Sequence, residues 1–249
     1  MENRNIIILG AGESGVGAAM LAHKQGYNVL VSDNNKINTK YKNVLSQSDI
    51  EFEEGKHSTD RIFTAAEVIK SPGIPDSIQL IKDLRDLGIP VISEIEFAAR
   101  YTSGKLICIT GSNGKTTTTL LTHHILQKAG LDVVAAGNLG NSFAMELARS
   151  DHDYFVLEIS SFQLDGMFDF KADIAILLNI TPDHLDRYDN SFDAYAESKF
   201  RIIRNMDKDG AFIYCSDDAD IMKRIEKVDI IPEQYPFSLN STTGSDGAY

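Results

Sequence analysis

The chain reads as an α/β protein built from two successive parallel-sheet domains. Three observations predict this. Strand-type runs alternate with helix-type patterns, the signature of parallel strands joined by right-handed crossovers. Two of the strands run into glycine-rich turns that open helices, Gly10-Ala11-Gly12-Glu13-Ser14-Gly15 and Thr110-Gly111-Ser112-Asn113-Gly114-Lys115-Thr116. Between the two layouts, Thr102-Ser103-Gly104 marks a boundary. The expected division is a first domain at 1–93, a linker at 94–104 and a second domain at 105–249.

The first layout opens with a strand over 6–9 and the first glycine turn. A helix follows through Ala18, Ala19, Leu21 and Ala22, stopping at Gly26. A strand over 29–33 ends in Asp33. Next come a strand over 66–70, the turn Ser71-Pro72-Gly73-Ile74-Pro75, a helix over 77–87, a strand at 91–92 and a helix-like piece over 94–101. The turn, with Asp33 eighteen positions past Gly15, fits a Rossmann-like dinucleotide fingerprint. Three readings stay open for it. They are a nicotinamide-dependent oxidoreductase, a tight turn without ligand, and a site for another phosphorylated ligand such as a nucleotide sugar.

The second layout has strands over 106–109, 132–135, 154–159, 174–179 and 211–215, with helices over 115–129, 142–149 and 192–206. Its glycine turn predicts a phosphate cradle in a P-loop NTPase-like domain. Backbone N–H groups at a helix N-terminus face an anion, and the helix dipole adds to them. Gly111, Ser112, Asn113, Gly114, Lys115, Thr116 and Thr117 form the expected ATP-binding run. Lys115 can reach the β- and γ-phosphates, and the Thr116 hydroxyl can ligate Mg²⁺. Standard spacing puts a glycine at 109, where this chain has Ile109, so the loop is a variant. A γ-phosphate site favours the nucleotide-sugar reading of the first turn, because hydride transfer has no use for one.

Three more residues carry chemistry. Glu158 ends an apolar strand beside the cradle, where Mg²⁺ is held; the alternative is a solvated strand-end acid. His184 sits in the polar run Asn179-Ile180-Thr181-Pro182-Asp183-His184-Leu185-Asp186-Arg187 at another strand's C-terminal end, a functional position rather than a purely structural one. Lys199 falls near the middle of an apolar helix face. With Ser191 as N-cap, that face holds Phe192, Tyr195, Ala196, Phe200, Ile202, Ile203 and Met206. A charged ammonium there is costly unless paired or neutralised. The alternative is snorkelling to a wet edge.

Composition narrows the classes. The chain is 43% hydrophobic and 24% charged, ordinary for a globular protein, with a formal net charge of −12. That sign disfavours nucleic acid and anionic membrane as partners. Cys108 and Cys215 lie on apolar runs and read as buried thiols in a reducing compartment. With no targeting segment in view, the expectation is a cytoplasmic protein. The polar run at 238–247 ends the chain where such a domain normally continues, so the chain is expected to be a fragment.

Taken together, these motifs resemble the ATP-dependent Mur ligases of peptidoglycan synthesis. The residues that carry the resemblance are T-G-S-N-G-K-T at 110–116, G-N-L-G at 137–140, E-I-S-S-F-Q-L at 158–164 and D-H-L-D-R-Y at 183–188. G-A-G-E-S-G at 10–15, S-P-G-I at 71–74 and the Lys199 helix add to it. S-S-F-Q-L points to the D-glutamate-adding branch; a sister ligase of other amino-acid specificity stays open. The resemblance implies a UDP-holding first domain, an ATP-holding central domain that is incomplete here, and a third, amino-acid-binding domain that is missing. It implies UDP-N-acetylmuramoyl-L-alanine, ATP and D-glutamate as partners, two Mg²⁺ sites, a monomer, and no turnover by these 249 residues alone. It places Lys115, His184 and Lys199 in catalysis. Thr116 and Glu158 hold one Mg²⁺; His184, Glu158 and a carbamylated Lys199 hold the second. Gly12, Glu13, Ser14, Asn34, Asn35 and Ser71 meet UDP, and Asn138, Ser160, Gln163 and His184 line the muramoyl-alanine channel. The sequence departs from the family at Glu13 and Asn35, where an apolar residue and an arginine are frequent.

Overall fold

The structure, a computed structural model, describes residues 4–240. Residues 241–247 of the polar run expected near the end lie outside the described residues. The chain divides into two compact units. One takes the chain up to Thr102 with Gly140–Asp151 and Gly166–Phe168; the other takes Ser103–Leu139, His152–Asp165 and the chain from Asp169 onward.

The first unit contains β1 (Asn5–Leu9), α1 (Glu13–Lys24), β2 (Asn28–Asp33), α2 (Thr39–Gln47), β3 (Glu51–Glu54), α3 (Thr59–Ile62), β4 (Glu67–Lys70), α4 (Gln79–Asp86), β5 (Val91–Ile92) and α5 (Glu94–Ala99). The strands form a parallel sheet in the order β3-β2-β1-β4-β5. β1 is apolar throughout its buried length because helices cover both faces of a parallel sheet. Ile7 and Leu9 enter a core with Leu30, Val68, Ile81 and Leu84, and the alternate residues Ile6 and Ile8 are buried as well. β3 escapes the sequence pattern. Glu51-Phe52-Glu53-Glu54 has one apolar residue, yet it pairs with β2 from Leu30↔Glu51 to Asp33↔Glu54. As an edge strand it tolerates the charge.

The boundary between the two units, at Thr102–Ser103, falls inside the stretch expected to be a linker at 94–104. That stretch also contains α5, in which Glu94, Ile95, Glu96, Phe97 and Ala98 are all buried. Its apolar residues are covered within this unit: the Phe97 ring stands 6.1 Å from Tyr27 and 5.1 Å from Tyr101.

The second unit contains β6 (Lys105–Thr110), α6 (Lys115–Lys128), β7 (Val133–Gly137), β8 (Tyr154–Glu158), α8 (Ser161–Leu164), β9 (Ile174–Leu177), α9 (Phe192–Phe200), β10 (Ala211–Cys215), α10 (Ala219–Ile225) and β11 (Glu233–Phe237), whereas α7 (Phe143–Arg149) belongs to the first unit. The sheet is parallel in the order β11-β10-β9-β6-β8-β7. The helix expected over 192–206 is shorter: after Phe200 it tightens into a 3₁₀ turn over Arg201–Ile203. β11 was not foreseen; its Pro236 is tolerated at a sheet edge. Among the described residues no helix is long and apolar enough to cross a membrane.

Chain order misplaces α7, which the sequence groups with the second layout. It packs on α1 at a point of very close approach, where a Cβ on Gly17 would lie 1.9 Å from the Ser142 oxygen. Ser142 caps α7 by accepting from Met145 N. Glu94 reinforces the cap: its Oε1 accepts from Ser142 Oγ at 2.8 Å and from Ala144 N at 2.6 Å. The second oxygen, Oε2, is buried without a hydrogen-bond partner. Burial pushes the Glu94 carboxyl up to about 7, and the charge of Glu13 adds to the rise, against the bonds from Ala144 and Ser142.

An acid raised in this way binds its proton more tightly when folded. Between the unfolded value of ~4.3 and about 7, the native state therefore holds the extra proton, and stability falls as pH rises through that window. Glu94→Gln keeps the acceptor oxygen and removes the titration. Denaturant melts at pH 5 and pH 8 should show a drop in the parent protein that is smaller in the variant, by up to about 3 kcal/mol. Equal pH slopes in the two proteins would contradict a buried, proton-holding Glu94.

Candidate active site

In the first unit, the glycine turn after β1 does three separate jobs. Gly10 sits at φ +92°, and a Cβ there would collide with Ser71 at 2.6 Å. Gly15 lets α1 start close to the strand, since its Cβ would lie 1.9 Å from the Gly10 carbonyl oxygen. At Gly12 a Cβ would meet nothing within 4 Å. That open space is where a diphosphate approaches in folds of this kind. Gly12 is also the α1 N-cap and supplies no side-chain bond, so the first N–H groups of the helix are available to an anion.

A cleft of about 650 Å³ opens above this turn. Gly12, Ser14, Asn34, Asn35 and Ser71 line it, with Asp33, His57 and the 72–75 turn. Five of the six residues expected to meet UDP in this unit therefore share one cleft. Glu13 is not among its lining residues. Its carboxylate accepts the Tyr41 hydroxyl at 2.8 Å and pairs with Lys40 at 3.5 Å. Asp33, the residue a dinucleotide reading assigns to ribose, serves the turn instead: Oδ2 accepts from Ala11 N and Oδ1 from Asn35 N, both at 2.8 Å.

In the second unit, the glycine turn expected to cradle phosphate joins β6 to α6. Gly114 caps α6 in the left-handed conformation, at φ +82°, again without a side-chain bond. Asn179 fixes the loop from β9's end: its carbonyl accepts from Ser112 N, its Oδ1 from Asn113 N, and its Nδ2 donates to Asn113 O. Ser112 Oγ donates to Thr181 O, so the Tyr195 hydroxyl, 2.9 Å away, donates to Ser112. The Lys115 ammonium folds over the loop, donating to the carbonyls of Gly111 and Ser112. Thr117 is exposed on the first turn of α6.

Glu158 is the hub of the oxygen donors. It is 2% exposed. Thr116 Oγ1 donates to its Oε2 at 2.6 Å, and Asn138 Nδ2 to its Oε1 at 2.9 Å. A hydroxyl and a carboxylate side by side at an uncapped helix start form a hard-oxygen set that suits Mg²⁺. Among the described residues no group of three or more His, Cys, Asp or Glu side chains could hold a metal. His184 stands at φ +50° ahead of the 3₁₀ turn Leu185–Tyr188, with its side chain 58% exposed and its ring 5.3 Å from Phe162. Ser160 and Gln163, expected to line a substrate channel, form the capping box of α8.

Lys199 does not snorkel. It is 2% exposed, its Nζ donates to the Gly111 carbonyl at 2.9 Å, and it lies 4.8 Å from the Tyr195 ring centre. Desolvation pushes its pKa down to about 7, helped by the Lys115 charge and opposed by Asp183 and Asp165. Sequence reasoning missed Tyr195's bond to the loop, Asn179's role and His57. The first two are side chains whose partners lie 83 and 66 positions away. His57 follows a strand that carries no apolar pattern.

Two family models cover nearly the whole chain. "Mur ligase MurD-like, N-terminal domain" matches residues 4–93, and "Mur ligase middle domain" matches residues 109–245. A UDP-N-acetylmuramoylalanine–D-glutamate ligase of Bacteroides fragilis is 54% identical over 97% of this chain and 54% of its own length. One from Porphyromonas gingivalis is 52% identical over 98% of this chain and 54% of its own. The chain thus spans about half the length of the curated relatives it matches. In fold it is similar to the crystal structure of a UDP-N-acetylmuramate:L-alanyl-γ-D-glutamyl-meso-diaminopimelate ligase from Neisseria meningitides. The TM-score is 0.66 at 19% identity, covering 94% of this chain and 78% of that one. With a glycine turn opening α6 in the second unit, a glycine-turn cleft in the first and family models matching both, the chain belongs to the Mur ligase family.

Proposed function

We propose that the chain serves the ATP-dependent joining of D-glutamate to UDP-N-acetylmuramoyl-L-alanine, the reaction named for its relatives. The observation that carries this is the Lys115, Thr116 and Glu158 arrangement at the uncapped start of α6, which suits a nucleoside triphosphate with its Mg²⁺. The first-unit cleft then takes the UDP moiety, and Asp33's duty to the turn speaks against a nicotinamide dinucleotide.

In this reading the L-alanyl carboxylate attacks the γ-phosphorus in line. The P–O bond to ADP breaks, and an acyl phosphate forms. The D-glutamate amine then attacks the acyl carbon, phosphate leaves, and the amine gives up a proton. Two anions meet in the first step, so local positive charge dominates catalysis. Lys115 and the loop N–H groups supply it from the protein. Thr116 and Glu158 would hold the Mg²⁺, which adds charge neutralisation at the phosphates. The low pKa of Lys199 leaves a large neutral fraction at pH 7, and the neutral amine is the form that reacts with CO₂. The resulting carbamate nitrogen keeps one N–H, enough for the Gly111 carbonyl, while its carboxylate replaces a costly buried cation.

Calorimetry tests the substrate reading. UDP-N-acetylmuramoyl-L-alanine should bind and NADH should not; the opposite result would restore the oxidoreductase. Phosphate release with ATP, the UDP substrate and a panel of D- and L-amino acids, on this chain and on any longer natural product, reads the specificity. D-glutamate should be the amino acid chosen, and another choice would move the assignment to a sister ligase. Lys115→Ala should weaken ATP binding by about 10- to 100-fold, the scale of one charge-assisted contact, whereas Glu158→Ala should chiefly raise the Mg²⁺ requirement. Unchanged nucleotide affinity in the lysine variant would reduce the cradle to an ordinary turn. Lys199→Ala in a ligation-competent form should lose activity, and the parent should respond to bicarbonate. Full activity of the variant, with no bicarbonate response in the parent, would remove the carbamate from the scheme.

A further inference from the structure

The rim of the first-unit cleft holds a hydrogen-bond chain that the motifs did not reveal. Ser32, on β2, is fully buried, and its Oγ lies 2.7 Å from both Glu53 Oε1 and His57 Nδ1. Glu53 also accepts from Ser58 N at 2.8 Å and from Ser58 Oγ at 2.5 Å. Burial pushes this carboxyl up, yet the bonds from Ser58 and Ser32 and the charge of Lys56 bring it below its ordinary value. It is therefore a carboxylate, which only accepts. The single Ser32 hydroxyl proton goes to Glu53 at 2.7 Å, the Lys56 carbonyl being farther at 3.5 Å. Ser32 must then accept from His57, whose proton is thereby fixed on Nδ1. In the neutral ring, Nε2 is left as a bare acceptor.

His57 lines the cleft, and no described residue bonds its Nε2. The carboxylates around it are engaged: Asp33 by Ala11 N and Asn35 N, and Glu54 by Ile37 N and Lys42. The phosphate-type turn follows β1, whereas His57 lies beyond the ends of β2 and β3, farther along the sheet edge. Strands are spaced about 4.8 Å apart. The cleft that contains the glycine turn also reaches His57, so a nucleoside diphosphate whose phosphates sit at the turn has room to place its base there.

We propose that His57 is a specificity-determining residue that reads the uracil ring, its Nε2 accepting the imide N3–H. This rests on the assignment of the cleft to UDP. Uracil presents a donor at N3, whereas cytosine presents a lone pair there, so a fixed acceptor selects the first and repels the second. Neither bond nor proton is transferred; the residue acts by recognition alone.

Calorimetric titration of the 249-residue protein with UDP, N3-methyl-UDP, CDP and 2′-deoxy-UDP tests it. The parent should bind N3-methyl-UDP and CDP about tenfold or more weaker than UDP, the scale of leaving a buried polar group unpaired. His57→Ala should bind UDP more weakly and bring the three within about threefold of one another. Equal binding of UDP and N3-methyl-UDP by the parent overturns the proposal without any variant. So does persistence of the discrimination in His57→Ala. If His57→Ala instead loses discrimination against 2′-deoxy-UDP alone, the residue reads ribose and the base assignment falls. Should the parent bind no uridine nucleotide at all, the UDP assignment itself fails and the proposal with it.

Discussion

Two helix N-termini without side-chain caps organise the candidate chemistry of this protein. A helix leaves its first N–H groups unsatisfied, and most helices answer with Ser, Thr, Asp or Asn at the cap. α5, α7, α8 and α9 do so through Ser93, Ser142, Ser160 and Ser191. α1 and α6 begin instead at Gly12 and Gly114, with no side-chain cap bond to their N–H groups. Those groups are free for an anionic ligand, and the surrounding side chains hold the turns in shape. Asp33 ties Ala11 to Asn35, and Asn179 ties Ser112 to Asn113. Polar residues that could have served as ligand contacts are thus partly employed in presenting the backbone.

Charge is handled locally, against a net charge of −12. Lys115 and Lys199 both donate to the Gly111 carbonyl, which places two ammonium groups on one peptide. Burial, helped by their mutual repulsion, lowers the Lys199 pKa. The same crowding would strengthen attraction for phosphate while making Lys199 an easily deprotonated amine. In water this pair would be screened; at 2% exposure Lys199 has little solvent to screen it.

The glycines illustrate how differently one residue type is used. Gly17 exists for a helix crossing, with Ser142 where a side chain would go. Gly10 is required by its backbone conformation, and Gly12 by neither, since the space beside it is open. Open space beside a glycine that caps a phosphate-type helix is an observation about ligand approach, which no pattern of residue types can supply.

Much of the fold was legible because it is set by short-range pattern. Apolar strand runs, the two glycine turns and the helix periodicity lie within windows of a few residues, and burial on both sheet faces demands them. The cradle residues Lys115 and Thr116 follow from the same local order. Elements whose pattern is weak were not legible: β3 is stabilised by pairing at a sheet edge, and β11 by its register with β10. Tertiary structure alone decided that α5 folds into the first unit and that α7 joins α1. It alone gave Lys199 the Gly111 carbonyl, 88 positions away, and set His57 on Ser32. Such partners meet only after the chain closes, because a hydrogen bond depends on ångström-scale placement, whereas periodicity records only which face a residue occupies.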